Sequence, residues 1–213
     1  MQVEEIFDYK IVKTHCNNTE FYTNKELKKS YTRIFELPEI RDRYRGAVWD
    51  SHDGEGESTE GNNFLAPDIL PGSDNLMRWI KDQCIKAVND IWNIPAKDII
   101  ITRSWMNRMY KGSRGKCHKH SPTEYVPADH SMGIPVLVAV FYVANTINGS
   151  SLVIVKDGVH GLLPEEFPEE NKHSLLTMPG DLIMHEPEVY HAVSLHNAEE
   201  PRICFAFHMS AVV

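Results

Sequence analysis

The sequence is poor in cysteine. Four thiols occur in 213 residues, at Cys16, Cys84, Cys117 and Cys204, and no two stand in CxxC spacing. That excludes a zinc ribbon and a redox dithiol, and the thiols are expected to be reduced, as in a cytoplasmic protein. Long hydrophobic runs are missing as well. No stretch of 18 apolar residues occurs, so no membrane span is expected. The opening MQVEEIFDYKIVK lacks a basic segment leading into an apolar one, so no secretory signal is expected. Positive charge is in deficit. There are 22 Lys and Arg against 30 Asp and Glu, a net charge of −8. That argues against a nucleic-acid backbone binder, although a local basic patch stays open. Neither a GxSxG elbow nor a Cys/His nucleophile signature is present.

What is present is enough apolar residue, 42% of the chain, for the core of one domain. There is also an excess of histidine. Of eleven histidines, nine lie between His118 and His208.

Residues 49–61 are polar, acidic and Gly-rich and read as a surface loop. Residues 24–35 are compatible with a short helix. A stronger helix follows Ser73 or Asp74 as cap. Leu76, Trp79, Ile80, Cys84, Val88, Ile91 and Trp92 recur at helical spacing, and Asn93 and Pro95 end it. From residue 98 the texture is β. Strands are expected at 98–107, 135–144, 151–155, 175–178, 181–185, 191–195 and 202–210. Turn signals at Asn148-Gly149, Asp157-Gly158, Pro179-Gly180 and 197–201 separate them. Many short strands without intervening helices imply an antiparallel sandwich or barrel, most simply a jelly roll. The chain thus reads as mainly β with N-terminal helices. An N-terminal helical and loop region, 1–97, packs on a β core, 98–213, in what is expected to be one domain.

In Cys117-His118-Lys119-His120 the two histidines are i and i+2. On an extended segment both face one way and can offer two imidazoles to one cation. His191, opening a later strand, is the best third ligand. Imidazole suits Fe, Zn, Cu and Ni. An isolated HxH also arises by chance on a surface loop, and spacing alone leaves both readings open. Arg202 follows His191 by eleven residues. If 191–195 pairs with the strand from 202 across a tight turn, Arg202 lies beside Leu195. It then shares the inward face of His191, ~13 Å deeper at ~3.3 Å per residue. An arginine there needs an anion, and its fork matches a carboxylate. The alternative is an exposed arginine at a hairpin end, beside Glu199 and Glu200.

Several motifs, in order, carry a resemblance. They are Ser104-Trp105-Met106-Asn107, Tyr110-Lys111-Gly112, His118-Lys119-His120, Val140-Phe141-Tyr142-Val143, Pro179-Gly180-Asp181-Leu182, His191-Ala192-Val193 and Arg202-Ile203-Cys204-Phe205-Ala206-Phe207. With residues 49–61 they spread over most of the chain. The sequence resembles Fe(II)- and 2-oxoglutarate-dependent oxygenases, prolyl-hydroxylase-like, and in particular the oxygenases of cyanophages and marine bacteria. The resemblance implies a double-stranded β-helix with Fe(II) at one mouth. It implies 2-oxoglutarate and O2 as cosubstrates and release of succinate and CO2 as an unknown substrate, small molecule or peptide, is hydroxylated. It assigns His118 and His191 to the metal, Arg202 to the distal carboxylate of 2-oxoglutarate, and Tyr142 to the same carboxylate. Tyr110 and Asn107 can line the cosubstrate pocket or simply pack the core. The location implied is the cytoplasm, that of a host if the gene is a phage's.

One departure matters. The superfamily usually carries HxD or HxE, giving two histidines and a carboxylate, whereas His120 stands here. HxH also occurs among the resembling phage-type sequences. Either His120 is the third ligand, or Asp129 or water takes that position. Asp129 belongs to an insertion, 121–134, that can form a substrate lid. His185 stands where the resembling sequences favour Phe, and His208 where they favour Asn. Both can sit at the mouth or be ordinary half-buried histidines. His15, His52, His160, His173 and His196 are expected at the surface, and Cys117 and Cys204 in packing roles. Two other functions stay open: a three-histidine dioxygenase without 2-oxoglutarate, and a non-catalytic jelly-roll binding or virion-associated module. The acidic stretches 50–60 and 165–170 can attract a basic peptide or amine, or be solvated loops, the reading preferred.

Overall fold

The computed structural model describes residues 1–37, 52–54, 56–59, 70–120 and 134–213. The elements in order are β1 (Gln2–Ile6), β2 (Tyr9–His15), α1 (Glu20–Thr23), α2 (Lys25–Phe35), β3 (His52–Asp53), β4 (Gly56–Ser58), α3 (Asp74–Asp90), β5 (Asp98–Met109), β6 (Arg114–His118), β7 (Ile134–Ala144), β8 (Leu152–Val155), β9 (Lys172–Leu175), β10 (Asp181–His185), β11 (His191–Val193) and β12 (Arg202–Val212). A large sheet runs β1-β2-β10-β7-β12-β5-β4, and a small one runs β3-β6-β11-β8-β9. From β5 onward successive strands alternate between the sheets, apart from β8 and β9, which pair side by side in the small one. Every pairing is antiparallel. That order is a double-stranded β-helix.

The two faces of β12 show why the layers assemble. Ile203, Phe205, Phe207 and Met209 join Leu27, Phe35, Leu76, Ile80, Cys84 and Val88 of α2 and α3 in the larger core. Cys204 and Ala206 point the other way, into the space between the sheets, with Trp105, Val140, Tyr142, Ile154 and Ile183. The period of two along the strand thus separates a helix-facing apolar row from an interior row. The helices form where the sequence places them. Asn24 caps α2 by accepting from the Leu27 amide at 2.8 Å. The α3 helix ends with Asn93 in the left-handed region, at φ 55, while the Ile94 amide reaches back to the Val88 carbonyl at 3.1 Å.

Five expectations need correction. The N-terminal region is not only helix and loop, because β1 and β2 extend the large sheet alongside β10. Their hairpin turns through Phe7 and Asp8, both at positive φ (52 and 69), without the Asn-Gly signal such a turn usually shows. Residues 52–53 and 56–58 are not a surface loop but strands β3 and β4, one on each sheet. The rest of 49–61 lies largely outside the described residues. The strand expected at 175–178 lies three residues earlier, as β9. Finally, β11 and β12 do not pair. β11 lies between β6 and β8, and β12 between β5 and β7, so the intervening chain crosses from one sheet to the other. His196 pins that crossing and is fully buried rather than at the surface. Its Nδ1 accepts from the Ser150 amide at 3.2 Å, and its Nε2 donates to the Glu200 carbonyl at 2.8 Å.

Candidate metal centre

The site begins with a strand register. His118 ends β6, His191 opens β11, and the two are direct partners across the pair. Their ring centroids are 4.4 Å apart. The approach of these strands depends on Gly115, where a Cβ would stand 2.9 Å from the Val193 Cβ and 3.2 Å from the Val193 backbone nitrogen. His120 follows, its amide donating to the Pro187 carbonyl at 2.9 Å. Its ring centroid lies 5.2 Å from that of His118 and 5.1 Å from that of His191. The ligand nitrogens of His118, His120 and His191 all lie within 4.8 Å of one another.

The rings are oriented for ligation. His118 Nδ1 donates to the Lys116 carbonyl at 2.9 Å, and His191 Nδ1 donates to the Val189 carbonyl at 3.0 Å. A carbonyl only accepts, so each proton sits on Nδ1 and each Nε2 keeps its lone pair. Burial lowers the pKa of His118, and burial with the neighbouring imidazoles drives those of His120 and His191 well down. All three are therefore neutral at pH 7, the state a metal requires. The donor set fits a divalent first-row metal such as iron.

Two further histidines flank the cluster. His185 is fully buried, 4.8 Å from the His191 ring, and His208 is buried 4.4 Å from the His120 ring. Burial pushes their pKa values down to about 4 and about 3, with Arg103 adding to the effect at His208. Trp105, in the sequence only a member of the Ser104–Asn107 motif, packs with its ring centroid 5.1 Å from that of His208 and 5.8 Å from that of His120. The period-two row Arg103, Trp105, Asn107, Met109 along β5 was the available signal.

Across the interior, Arg202 begins β12 at 2% exposure. Its Nη2 donates to the Tyr142 hydroxyl at 3.4 Å, its Nη1 lies 3.3 Å from Met109 Sδ, and its Nε has no hydrogen-bond partner among the described residues. Among the described residues no carboxylate pairs with it. Tyr142 is fully buried, and burial raises the pKa of its hydroxyl. Asn107 pairs with Cys204 and faces the same interior. With its oxygen 3.2 Å from Trp105 Nε1, its amide nitrogen donates to Ser58 Oγ at 2.7 Å. Tyr110 is not brought to this group. Its hydroxyl donates to Glu57 at 2.9 Å, a buried carboxylate that Arg108 also holds. Asp129 and the insertion expected to form a lid lie outside the described residues, apart from Ile134 in β7.

The fold then meets known structures. A prolyl-4-hydroxylase from Pseudomonas putida superposes with a TM-score of 0.56 at 13% identity, covering 95% of this chain and 93% of its own. The chain has the fold of the 2-oxoglutarate oxygenases. HygX from Streptomyces hygroscopicus, with nickel, 2-oxoglutarate and hygromycin B bound, superposes at 0.54 with 14% identity, covering 95% and 83%. The α-ketoglutarate-dependent carbocyclase SnoK of nogalamycin biosynthesis reaches 0.59 at 12% identity, covering 93% and 78%. No family model and no curated protein matches the sequence. No described helix is long and apolar enough to cross a membrane.

Proposed function

We propose that the protein is an Fe(II)- and 2-oxoglutarate-dependent dioxygenase that hydroxylates a small molecule or peptide, releasing succinate and CO2. One observation carries the reading. A buried arginine with no carboxylate partner among the described residues shares the barrel interior with three imidazoles placed to ligate. A buried cation left alone is costly. A linear dicarboxylate that also reaches the metal would compensate it.

The roles follow from the geometry. Arg202 and Tyr142 bind the distal carboxylate, the guanidinium as a charged fork and the phenol as a donor. His118 and His191, with His120 as third imidazole, hold the metal, their rings fixed by the Nδ1 bonds of His118 and His191. Trp105, Val140, Ile183 and Ala206 keep water from the space between. Bound iron would supply open coordination positions for O2 activation coupled to decarboxylation. Three neutral imidazoles leave the full charge of the cation in place, which strengthens capture of an anionic cosubstrate. The four buried, unbridged cysteines accord with a reducing cytoplasm. Succinate formation from 2-oxoglutarate in the Fe(II)-loaded protein tests the reading, and Arg202→Ala is expected to abolish it. Equal succinate from both proteins would overturn it.

The presence of His120 where a carboxylate is usual favours one second reading, a three-histidine dioxygenase that needs no 2-oxoglutarate. O2 uptake without succinate distinguishes it.

A further inference from the structure

Of the two histidines that flank the cluster, neither of them used by the proposed chemistry, His185 is the more deeply buried. Its Nδ1 donates to the Glu186 carbonyl at 2.8 Å, which places the ring proton there and leaves Nε2 as a bare acceptor. The side chain is fully buried, and among the described residues Nε2 has no hydrogen-bond partner. Buried acceptors of this kind are rare and costly. The strand register sets where the ring sits. His185 pairs with Val138, Val138 with His208, and His208 with Arg103, a single row across β10, β7, β12 and β5. Along β10 it shares the interior face with Ile183, and its ring centroid is 4.8 Å from that of His191. It does not belong to the group whose ligand atoms lie within 4.8 Å of one another. It therefore stands beside the metal candidates, in reach of what a metal would hold.

We propose that His185 Nε2 accepts a hydrogen bond from a water molecule coordinated at the His118–His120–His191 site, making His185 a positioning residue. The inference rests on the metal reading above. Neither O2 nor the 2-oxoglutarate dianion carries a donor hydrogen for this acceptor, whereas coordinated water does. Coordination polarises that water and strengthens the bond it donates. A molecule that takes the water's place keeps His185 satisfied only by bringing an O–H or N–H of its own.

Zinc(II) is the probe, added to the protein with ¹⁵N-labelled histidine. In the metal-free protein His185 Nε2 is expected to resonate as an unprotonated nitrogen. On zinc addition the ligating nitrogens of His118 and His191 should move far. His185 Nε2 should move less, in the direction of hydrogen-bond acceptance, and stay without a proton. In parallel, His185→Phe is expected to weaken zinc binding about tenfold or more, and His185→Gln, which keeps an acceptor, to restore most of it. If His118 and His191 respond while His185 does not, and all three proteins bind zinc equally, the positioning role is overturned and the metal reading stands. If His118 and His191 themselves do not respond, the metal reading fails and the inference falls with it. A shift of His185 Nε2 as large as that of the ligands would make it a ligand and also overturn the proposal.

Discussion

His118 and His191 are direct cross-strand partners, and their rings meet at a centroid distance of 4.4 Å. The contact is set by the backbone as much as by the side chains, because β6 and β11 approach at Gly115 and Val193. Substituting Gly115→Ala puts a methyl group 2.9 Å from the Val193 Cβ. Overpacking of this kind costs about 1–3 kcal/mol. Since the strands must part to relieve it, the metal site should suffer too. The expected result is a fall in unfolding free energy within that range and at least a tenfold rise in the Kd for Ni(II), read by calorimetry.

Arg202 separates stability from function. Its guanidinium is buried with no carboxylate beside it among the described residues. Replacing it by an apolar side chain of similar length, Arg202→Met, should stabilise the metal-free protein, by about 1–4 kcal/mol on the scale of buried charged groups. The same change should abolish 2-oxoglutarate binding while leaving the Ni(II) affinity within about twofold. Urea titration and calorimetry read the two halves.

The buried imidazoles make the metal-free protein acid-sensitive. His185 has its pKa lowered from 6.5 to about 4. Between those values the unfolded chain binds a proton that the folded chain refuses, so stability rises with pH across the window. It is fully present above pH 6.5, is lost as pH falls toward 4, and does not fall further from this group below that. The loss is about 3 kcal/mol for His185 alone, at ~1.36 kcal/mol per pKa unit. His208, lowered to about 3, adds in the same direction. Urea midpoints measured from pH 7 to pH 4 should fall steadily, and His185→Phe should flatten that slope.

The helix-facing row of β12 makes a prediction independent of the site. Phe207 is fully buried against the helical layer. Phe207→Ala should destabilise by about 3–5 kcal/mol, with zinc affinity of the folded fraction unchanged. Thermal unfolding with a zinc titration at low temperature checks both.

The parts legible in the sequence are those whose pattern is local. Strands β5, β7, β10 and β12 carry continuous or alternating apolar residues and were found close to their bounds. The helix α3 carries helical spacing, although the Ser73 expected as its cap makes no side-chain cap bond, and α2 is capped by Asn24. What was hidden depends on distant partners. Glu57 and Ser58 look like loop residues until β5 lies beside them and Arg108 meets the Glu57 carboxylate. His196 looks like a surface residue until Ser150 and the Glu200 carbonyl take both its nitrogens. The Lys172-His173-Ser174 run is polar because β9 is an edge strand. Arg202 was placed on the inward side through a hairpin that does not exist. Its burial comes from β12 joining the opposite sheet from β11. The HxH spacing brings His118 and His120 together and the resemblance names His191, but only the register of β6 with β11 shows His118 and His191 meeting, and only the hydrogen bonds of Nδ1 show which nitrogens can ligate.

One site is expected to hold both the metal and the dicarboxylate. The direct measurement is a crystal structure of the full chain soaked with Mn(II) and N-oxalylglycine, an unreactive analogue of 2-oxoglutarate. Manganese is expected on Nε2 of His118 and His191, with His120 completing the set, and the distal carboxylate of the analogue on Arg202 and the Tyr142 hydroxyl. Manganese at those histidines with the analogue elsewhere, or no manganese there at all, would contradict it.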